Sequence, residues 1–253
     1  MPHEFKVTKE IALDASPEQV WEAVATGRGL DAWLMGSNEV EPRVGGTTRF
    51  TMGGYSEEGT VTTWEPLKRF AYRSREGDDG SFMTFEYIIE AREEARTVLR
   101  LVQSGFMSGD WEAEYEALNK GWDMYLRTIG QYLTYFLGQT ATPVSAQGPQ
   151  AAGEEDVWEA LKRGLGLTGT VAEGDRARFS VADSPPVEGV VDSVLFPTFL
   201  GVRTSEGLYR FVGRGGAVGV GHHVFAAGVD QKGAERAWQA WLTQLFEQGA
   251  SLP

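Results

Sequence analysis

Two segments of this chain open in the same way: "VWEAVATGRGL" from Val20 and "VWEALKRGLGL" from Val157. The echo continues in order. "VGGTTRFTM" from Val44 matches "AEGDRARFSV" from Ala172. "EGTVTTWEPLKRFAYR", Glu58 to Arg73, matches "EGVVDSVLFPTFLGVR", Glu188 to Arg203, without a gap. Near the two ends, "GWDMYLRTIGQYL" matches "AWQAWLTQLF", with Trp122 over Trp238 and Tyr125 over Trp241. Four matches in one order mark an internal duplication, so one fold must be built twice. The second copy is abridged: Trp21 to Phe50 spans 29 positions, Trp158 to Phe179 only 21.

Between the copies, "GQTATPVSAQGPQAAG" (Gly138 to Gly153) carries no charge and no large aromatic residue. Such a stretch buries too little surface to order itself and reads as a linker. The expected organisation is a complete domain over 1–138, a flexible linker over 139–153 and a shortened domain over 154–253.

Periodicity gives the elements of the first copy. "EFKVTKEIAL" (Glu4 to Leu13) alternates as a strand, with a change of face expected near Lys9. Ser16, Pro17 and Gln19 form a capping box with proline at the first helical position, so a helix starts there and ends at Gly27 and Gly29. A second short turn is expected over Leu30 to Leu34. Strands follow at Thr47–Met52, Gly59–Trp64 and Arg69–Ser74, then the hairpin turn "EGDDGS". Met83, Phe85, Tyr87 and Ile89 share one strand face; Leu99, Leu101 and Gln103 share another. From Asp110 to Leu137 a long helix carries Tyr115, Leu118, Trp122, Tyr125, Ile129, Leu133 and Phe136 at spacings of three and four. Burying that stripe is worth roughly 10–15 kcal/mol before entropy, so it must dock on the apolar face of the sheet.

Charge and composition remove several function classes. Residues 1–138 hold 14 basic and 23 acidic side chains, a balance of −9; the remainder holds 9 and 13, a balance of −4. Both halves repel a nucleic-acid backbone or an anionic membrane. With no cysteine there is no disulfide, thiolate metal site or cysteine nucleophile. No stretch approaches the roughly 20 apolar residues of a membrane helix and no apolar signal core opens the chain, so a cytoplasmic protein is expected.

The order "SPEQVWEAV…GLDAWL", "GTVTTWEPLKRFAY", "QSGF" and "GWDMYLRTIGQYL" resembles the START-like (SRPBCC) helix-grip superfamily. Within it, the order resembles the family named for the activator of the heat-shock-protein-90 ATPase. The likeness covers nearly all of residues 1–138, and the second copy is similar to the same fold in abridged form. The family often has histidine where Gln103 stands. The resemblance implies an α+β fold, tandem helix-grip domains, in which a curved antiparallel sheet wraps a long C-terminal helix with a cavity between them.

Trp33, Phe50, Met52, Trp64, Tyr72, Phe85, Tyr87, Gln103, Trp122, Tyr125 and Ile129 are the candidate ligand-binding set. Either these side chains fill a solid core or they line a pocket for a small hydrophobic or aromatic molecule. Thr63 and Gln103 are polar groups among apolar residues, and a polar group pointing inward needs a partner. Other features read blandly. His222 and His223 are adjacent in a strand and point to opposite faces, one packing and one meeting solvent, so no metal is expected. Glu57–Glu58 and Asp78–Asp79 read as solvated turn pairs, and no catalytic residue or cofactor is expected. "GRGGAVGVG" reads as a glycine-rich hairpin rather than a phosphate loop. The leading function is non-catalytic binding of a small apolar guest. The second copy would then cap the pocket or complete an intramolecular pseudo-dimer. A protein-interaction module with a chaperone partner is the alternative, and a cyclase or dehydratase using the same cavity the third.

Overall fold

The computed structural model describes residues 3–93, 96–150, 154–182, 185–195, 197–214 and 216–249. The chain divides into two compact units, Met1–Thr140 and Ala141–Pro253. Each is an antiparallel sheet with helices, as a tandem helix-grip, α+β architecture requires.

The first unit runs β1 (His3–Leu13), α1 (Pro17–Ala25), α2 (Gly27–Asp31), β2 (Ser37–Val40), β3 (Thr47–Met52), β4 (Tyr55–Glu65), β5 (Arg69–Ser74), β6 (Phe82–Ala91), β7 (Thr97–Met107) and α3 (Trp111–Tyr135). Its sheet order is β1-β7-β6-β5-β4-β3-β2. The capping box is present: the Gln19 N–H donates to Ser16 Oγ at 3.4 Å, and the Ser16 N–H donates to Gln19 Oε1 at 2.8 Å. α1 ends at Ala25, earlier than expected, because Thr26 begins a new helix by accepting the Gly29 N–H at 2.9 Å. The expected turn at Leu30–Leu34 is therefore α2, one turn upstream, and Trp33 follows it.

Two strand readings change. β1 keeps one face throughout: Phe5, Val7, Lys9, Ile11 and Leu13 all point toward α3, and Lys9 stays there because its Nζ meets Asp123 Oδ1 at 2.7 Å. The strand expected over Gly59–Trp64 begins four residues earlier. Gly53 and Gly54, at φ +57° and +85°, form a two-residue hairpin turn that only glycine enters without strain, and Met52 pairs with Tyr55. Glu57 and Glu58 therefore lie in a strand on opposite faces rather than in a turn.

The second unit runs β8 (Thr142–Gln147), α4 (Glu154–Gly164), β9 (Arg176–Phe179), β10 (Val187–Leu195), β11 (Phe199–Arg203), β12 (Gly207–Arg214), β13 (Ala217–Val224) and α5 (Gln231–Gly249). Its order, β8-β13-β12-β11-β10-β9, is that of the first sheet without the β2 edge. β8 overturns part of the linker expectation. Val144 is buried and pairs with His222, as Val7 pairs with Gln103. Val7 to Val144 is 144 − 7 = 137 positions, the same interval as Trp21 to Trp158. The uncharged strap thus holds the first strand of the second copy. Its position at the sheet edge tolerates Pro143, which has no N–H to donate.

The duplication extends to irregularities. β4 shifts register between Val61 and Thr63, and β10 shifts between Val191 and Ser193, each 130 positions later (191 − 61, 193 − 63). In the first unit the Gly45 N–H donates to the Val61 carbonyl at 2.8 Å, and the Val61 N–H to the Gly46 carbonyl at 2.8 Å. In the second, Gly174, Val191 and Asp175 make the same two bonds at 2.9 and 2.8 Å. A bulge is a specific device, and its repetition at aligned residues is strong structural support for the copy.

Candidate functional site

Antiparallel pairing sets the first unit's inner face row by row. Val7, Gln103, Phe85, Tyr72 and Val61 form one row across five strands; Leu101, Tyr87 and Phe70 form the next. α3 lies over this face. Its Trp122 N–H donates to Gln103 Oε1 at 2.6 Å, and a Cβ at Gly130 would meet Ile11 and Leu13. Asp110 caps α3 through the Ala113 N–H at 3.5 Å, and Glu112 and Glu114 in the first turn suit the helix dipole. Trp122, Ile129 and Leu133 of α3 and its C-cap Phe136 are buried, while Tyr115, Leu118 and Tyr125 are half-buried.

The rings close a circuit. Phe70 meets Tyr72 at 5.6 Å between centroids, Tyr72 stacks on Phe85 at 4.8 Å, Phe85 meets Trp122 at 6.3 Å and Trp122 meets Tyr125 at 5.5 Å. Tyr125 then meets Trp33 at 6.3 Å, Trp33 meets Tyr87 at 6.4 Å, and Tyr87 stacks on Phe70 at 5.9 Å. Edge-to-face and offset pairs of this kind add to plain burial.

Six of the expected residues gather here: Trp33, Tyr72, Phe85, Tyr87, Trp122 and Tyr125. The others spread out. Trp64 sits between Trp21 of α1 and Phe70, at 5.0 and 5.5 Å. Ile129 is buried farther along α3. Phe50 is half-buried toward the β3–β4 hairpin, and Met52 is 39% exposed at its tip. Gln103 is fully buried and occupied, its amide nitrogen 3.2 Å from Met83 Sδ and its oxygen held by Trp122. Thr63, after the bulge, is only half-buried. Phe70 was missed, although its spacing of two from Tyr72 puts both on one face. Glu57 was missed because the Gly53–Gly54 turn went unread; that turn sets Glu57 opposite Phe50 on the inner face.

The polar groups in the circuit are perturbed. Burial pushes the Tyr72 and Tyr87 hydroxyls well above the ordinary phenol range and Tyr125 up to about 12, against an opposing backbone contact at Met35. Trp33 is satisfied, its indole N–H donating to the Ala23 carbonyl at 2.9 Å. Tyr87 is not: it interacts with the Tyr72 hydroxyl, yet no hydrogen bond of normal geometry reaches its buried Oη. Burial also raises the Glu57 carboxyl, opposed by Ser74, whose hydroxyl accepts the Met83 N–H at 3.0 Å.

The second unit builds a counterpart. His222 takes the place of Gln103 and packs against Trp238 at 4.2 Å, Tyr209 at 4.9 Å and Phe211 at 5.3 Å. Its Nδ1 accepts the Arg210 N–H at 3.0 Å, which assigns the proton to Nε2. His223 is buried as well, correcting the expectation that one of the pair meets solvent; each is 1% exposed. Among the described residues no three His, Asp or Glu side chains gather as a metal site.

Burial, then His223 and Arg210, hold the His222 imidazole well below 6.5. Above pH 6.5 it is neutral folded and unfolded and contributes no pH dependence. Below 6.5 the unfolded chain takes up a proton that the folded chain refuses, so stability falls with pH. Through this residue the second unit is expected to lose stability as pH falls below 6.5, with a slope approaching about 1.4 kcal/mol per pH unit until the folded imidazole itself takes up a proton. Urea denaturation at pH 7.5 and 5.5 checks it: the loss should shrink in His222→Gln, and an equal loss in that variant would refute it.

Residues 14–134 match the profile of the family described as Activator of Hsp90 ATPase homolog 1-like protein. The match lies wholly within the first unit and spans 121 residues (134 − 14 + 1), just under half of the chain, so the first unit carries that family's profile. A comparison with curated proteins returns no match. Among solved structures, a protein of Mesorhizobium loti is 23% identical with a TM-score of 0.47, over 52% of this chain and 98% of that one. The Aha1 dimer of Colwellia psychrerythraea is 25% identical with a TM-score of 0.41, over 51% of this chain and 96% of that one. DynU16, from the dynemicin biosynthetic locus, is 19% identical with a TM-score of 0.46, over 96% of this chain and 98% of that one. None of the three reaches a TM-score of 0.5. No helix among the described residues is long and apolar enough to cross a membrane.

Proposed function

We propose that the first unit is a non-catalytic binding module that holds a small apolar or aromatic molecule between the inner face of its sheet and α3. The observation that carries the reading is the buried Tyr87 hydroxyl, which meets the Tyr72 hydroxyl but makes no hydrogen bond of normal geometry, inside a closed circuit of seven aromatic side chains. A polar group buried without a partner costs about 1–3 kcal/mol, and a guest that supplies an acceptor or donor recovers that cost. Aromatic walls with few polar tips suit a flat guest. The family description supports a co-chaperone-like module as the alternative. The outer strand faces mix ion pairs such as Arg49–Glu58 and Arg100–Glu10 with half-buried apolar side chains such as Phe82, Val102 and Phe106.

Thermal unfolding and native mass spectrometry of the full chain against a panel of lipids and polyphenols test the reading. A guest at a hundred times its dissociation constant should stabilise the fold by about 2.7 kcal/mol. Tyr87→Phe should weaken that gain while the protein stays folded. An unresponsive chain with no retained guest across the panel would contradict the proposal.

A further inference from the structure

We propose that the guest of this face is an organic cation: an aromatic or apolar body carrying a protonated amine or quaternary ammonium, with Glu57 as its counter-charge. The inference rests on the binding reading above and names the class of molecule.

Charges on the first sheet are distributed unevenly. On the outer face Glu58 meets both Arg49 and Arg75 at 2.9 Å, Arg100 meets Glu10 at 3.1 Å and Glu90 at 3.3 Å, and Arg69 meets Glu86. Two charged strand residues point inward. Lys9 of β1 is neutralised by Asp123 of α3 at 2.7 Å. Glu57 of β4 has no ion-pair partner among the described residues, although it is half-buried and its neighbour Glu58 has two arginines. The groups that interact with Glu57 are Ser74, Tyr72 and Tyr55, and none is cationic.

A half-buried carboxylate without a counter-ion is a costly arrangement unless something else supplies the charge. The surroundings suit an organic cation. Phe50 stands directly opposite Glu57 and meets Tyr55 at 6.5 Å, while Tyr72, stacked on Phe85, carries the aromatic wall inward. Aromatic faces attract ammonium groups, and a carboxylate among them adds direct charge pairing. The place is reachable, since Tyr55 is 59% exposed beside the hairpin turn. The net charge of −13 draws cations toward the protein from a distance.

Three probes with one ring system separate charge from shape: tryptamine, 3-ethylindole and indole-3-propionate. Each is titrated calorimetrically into the full chain and into Glu57→Gln, which keeps the side-chain size and removes the charge. Tryptamine is expected to bind the natural chain about ten-fold more tightly than 3-ethylindole, with indole-3-propionate weakest. In Glu57→Gln that preference should vanish while 3-ethylindole affinity stays. Equal affinity for tryptamine and 3-ethylindole, or a preference that survives in Glu57→Gln, would overturn the cation assignment and leave the binding reading standing. Binding of none of the three would also overturn the cation assignment, and the binding reading would then rest on the lipid and polyphenol panel.

Discussion

Trp122→Ala is expected to destabilise the first unit by about 3–5 kcal/mol, the usual cost of removing a large buried ring. The indole is 5% exposed, packs against Phe85 and Tyr125, and donates its N–H to Gln103. It therefore joins α3 to β6 and β7 by packing and by one hydrogen bond. The two contributions separate experimentally. Trp122→Phe keeps most of the ring but leaves Gln103 Oε1 buried without its donor, at a cost of about 1–3 kcal/mol. Adding Gln103→Leu should recover part of that loss, because an apolar pair leaves nothing unsatisfied. Urea denaturation gives the magnitudes, and hydrogen exchange by peptide should place the lost protection in α3, β6 and β7. A Trp122→Ala change below 1 kcal/mol would mean that α3 is not held by this stripe.

The second large effect belongs to the other unit. Arg210 of β12 and Asp192 at the β10 bulge form a two-pronged ion pair at 2.8 and 3.0 Å, both side chains almost fully buried. Gly201 of β11 makes the room: a Cβ there would lie 2.4 Å from Asp192 Oδ1 and 2.6 Å from an Arg210 nitrogen. The aligned positions of the first unit hold Thr62, Ala71 and Glu86, so the pair was introduced or lost after duplication. Asp192→Ala removes the carboxylate and leaves a buried guanidinium without its counter-charge, for an expected loss of about 3–5 kcal/mol. An Asp192→Leu, Arg210→Met double change should be far milder, since the desolvation cost disappears with both charges. Hydrogen exchange should show β10, β11 and β12 losing protection in Asp192→Ala while β5, β6 and β7 keep theirs. Protection lost equally in both sheets would contradict the assignment.

Much of this was legible in the sequence, and the misses have physical causes. Alternation fixed the faces of β6 and β7 correctly because both strands pack one face on α3 and keep a strict period of two. Lys9 broke the apparent alternation of β1, since a paired lysine looks polar in sequence whatever it faces. β8 was hidden by composition: Thr142, Pro143 and Ser145 suit a linker, yet Val144 alone supplies the inward anchor a short edge strand needs. The constant interval of 137 would have revealed it. Glu57 was misread because a Gly-Gly pair between two strands was not taken as a hairpin turn, and once the turn is set the register follows. Six members of the ring circuit were legible, but its closure was not. It joins β5, β6, the segment after α2 and α3, and their angles come from sheet curvature rather than from any local pattern.

The most direct measurement is a crystal structure of the chain with the best-stabilising guest from the binding panel. The binding account predicts the guest between Trp122 of α3 and the inner sheet face, with a polar atom within hydrogen-bond reach of Tyr87 Oη. A guest bound on the outer strand faces, or one that leaves the Tyr87 hydroxyl as it stands, would contradict it.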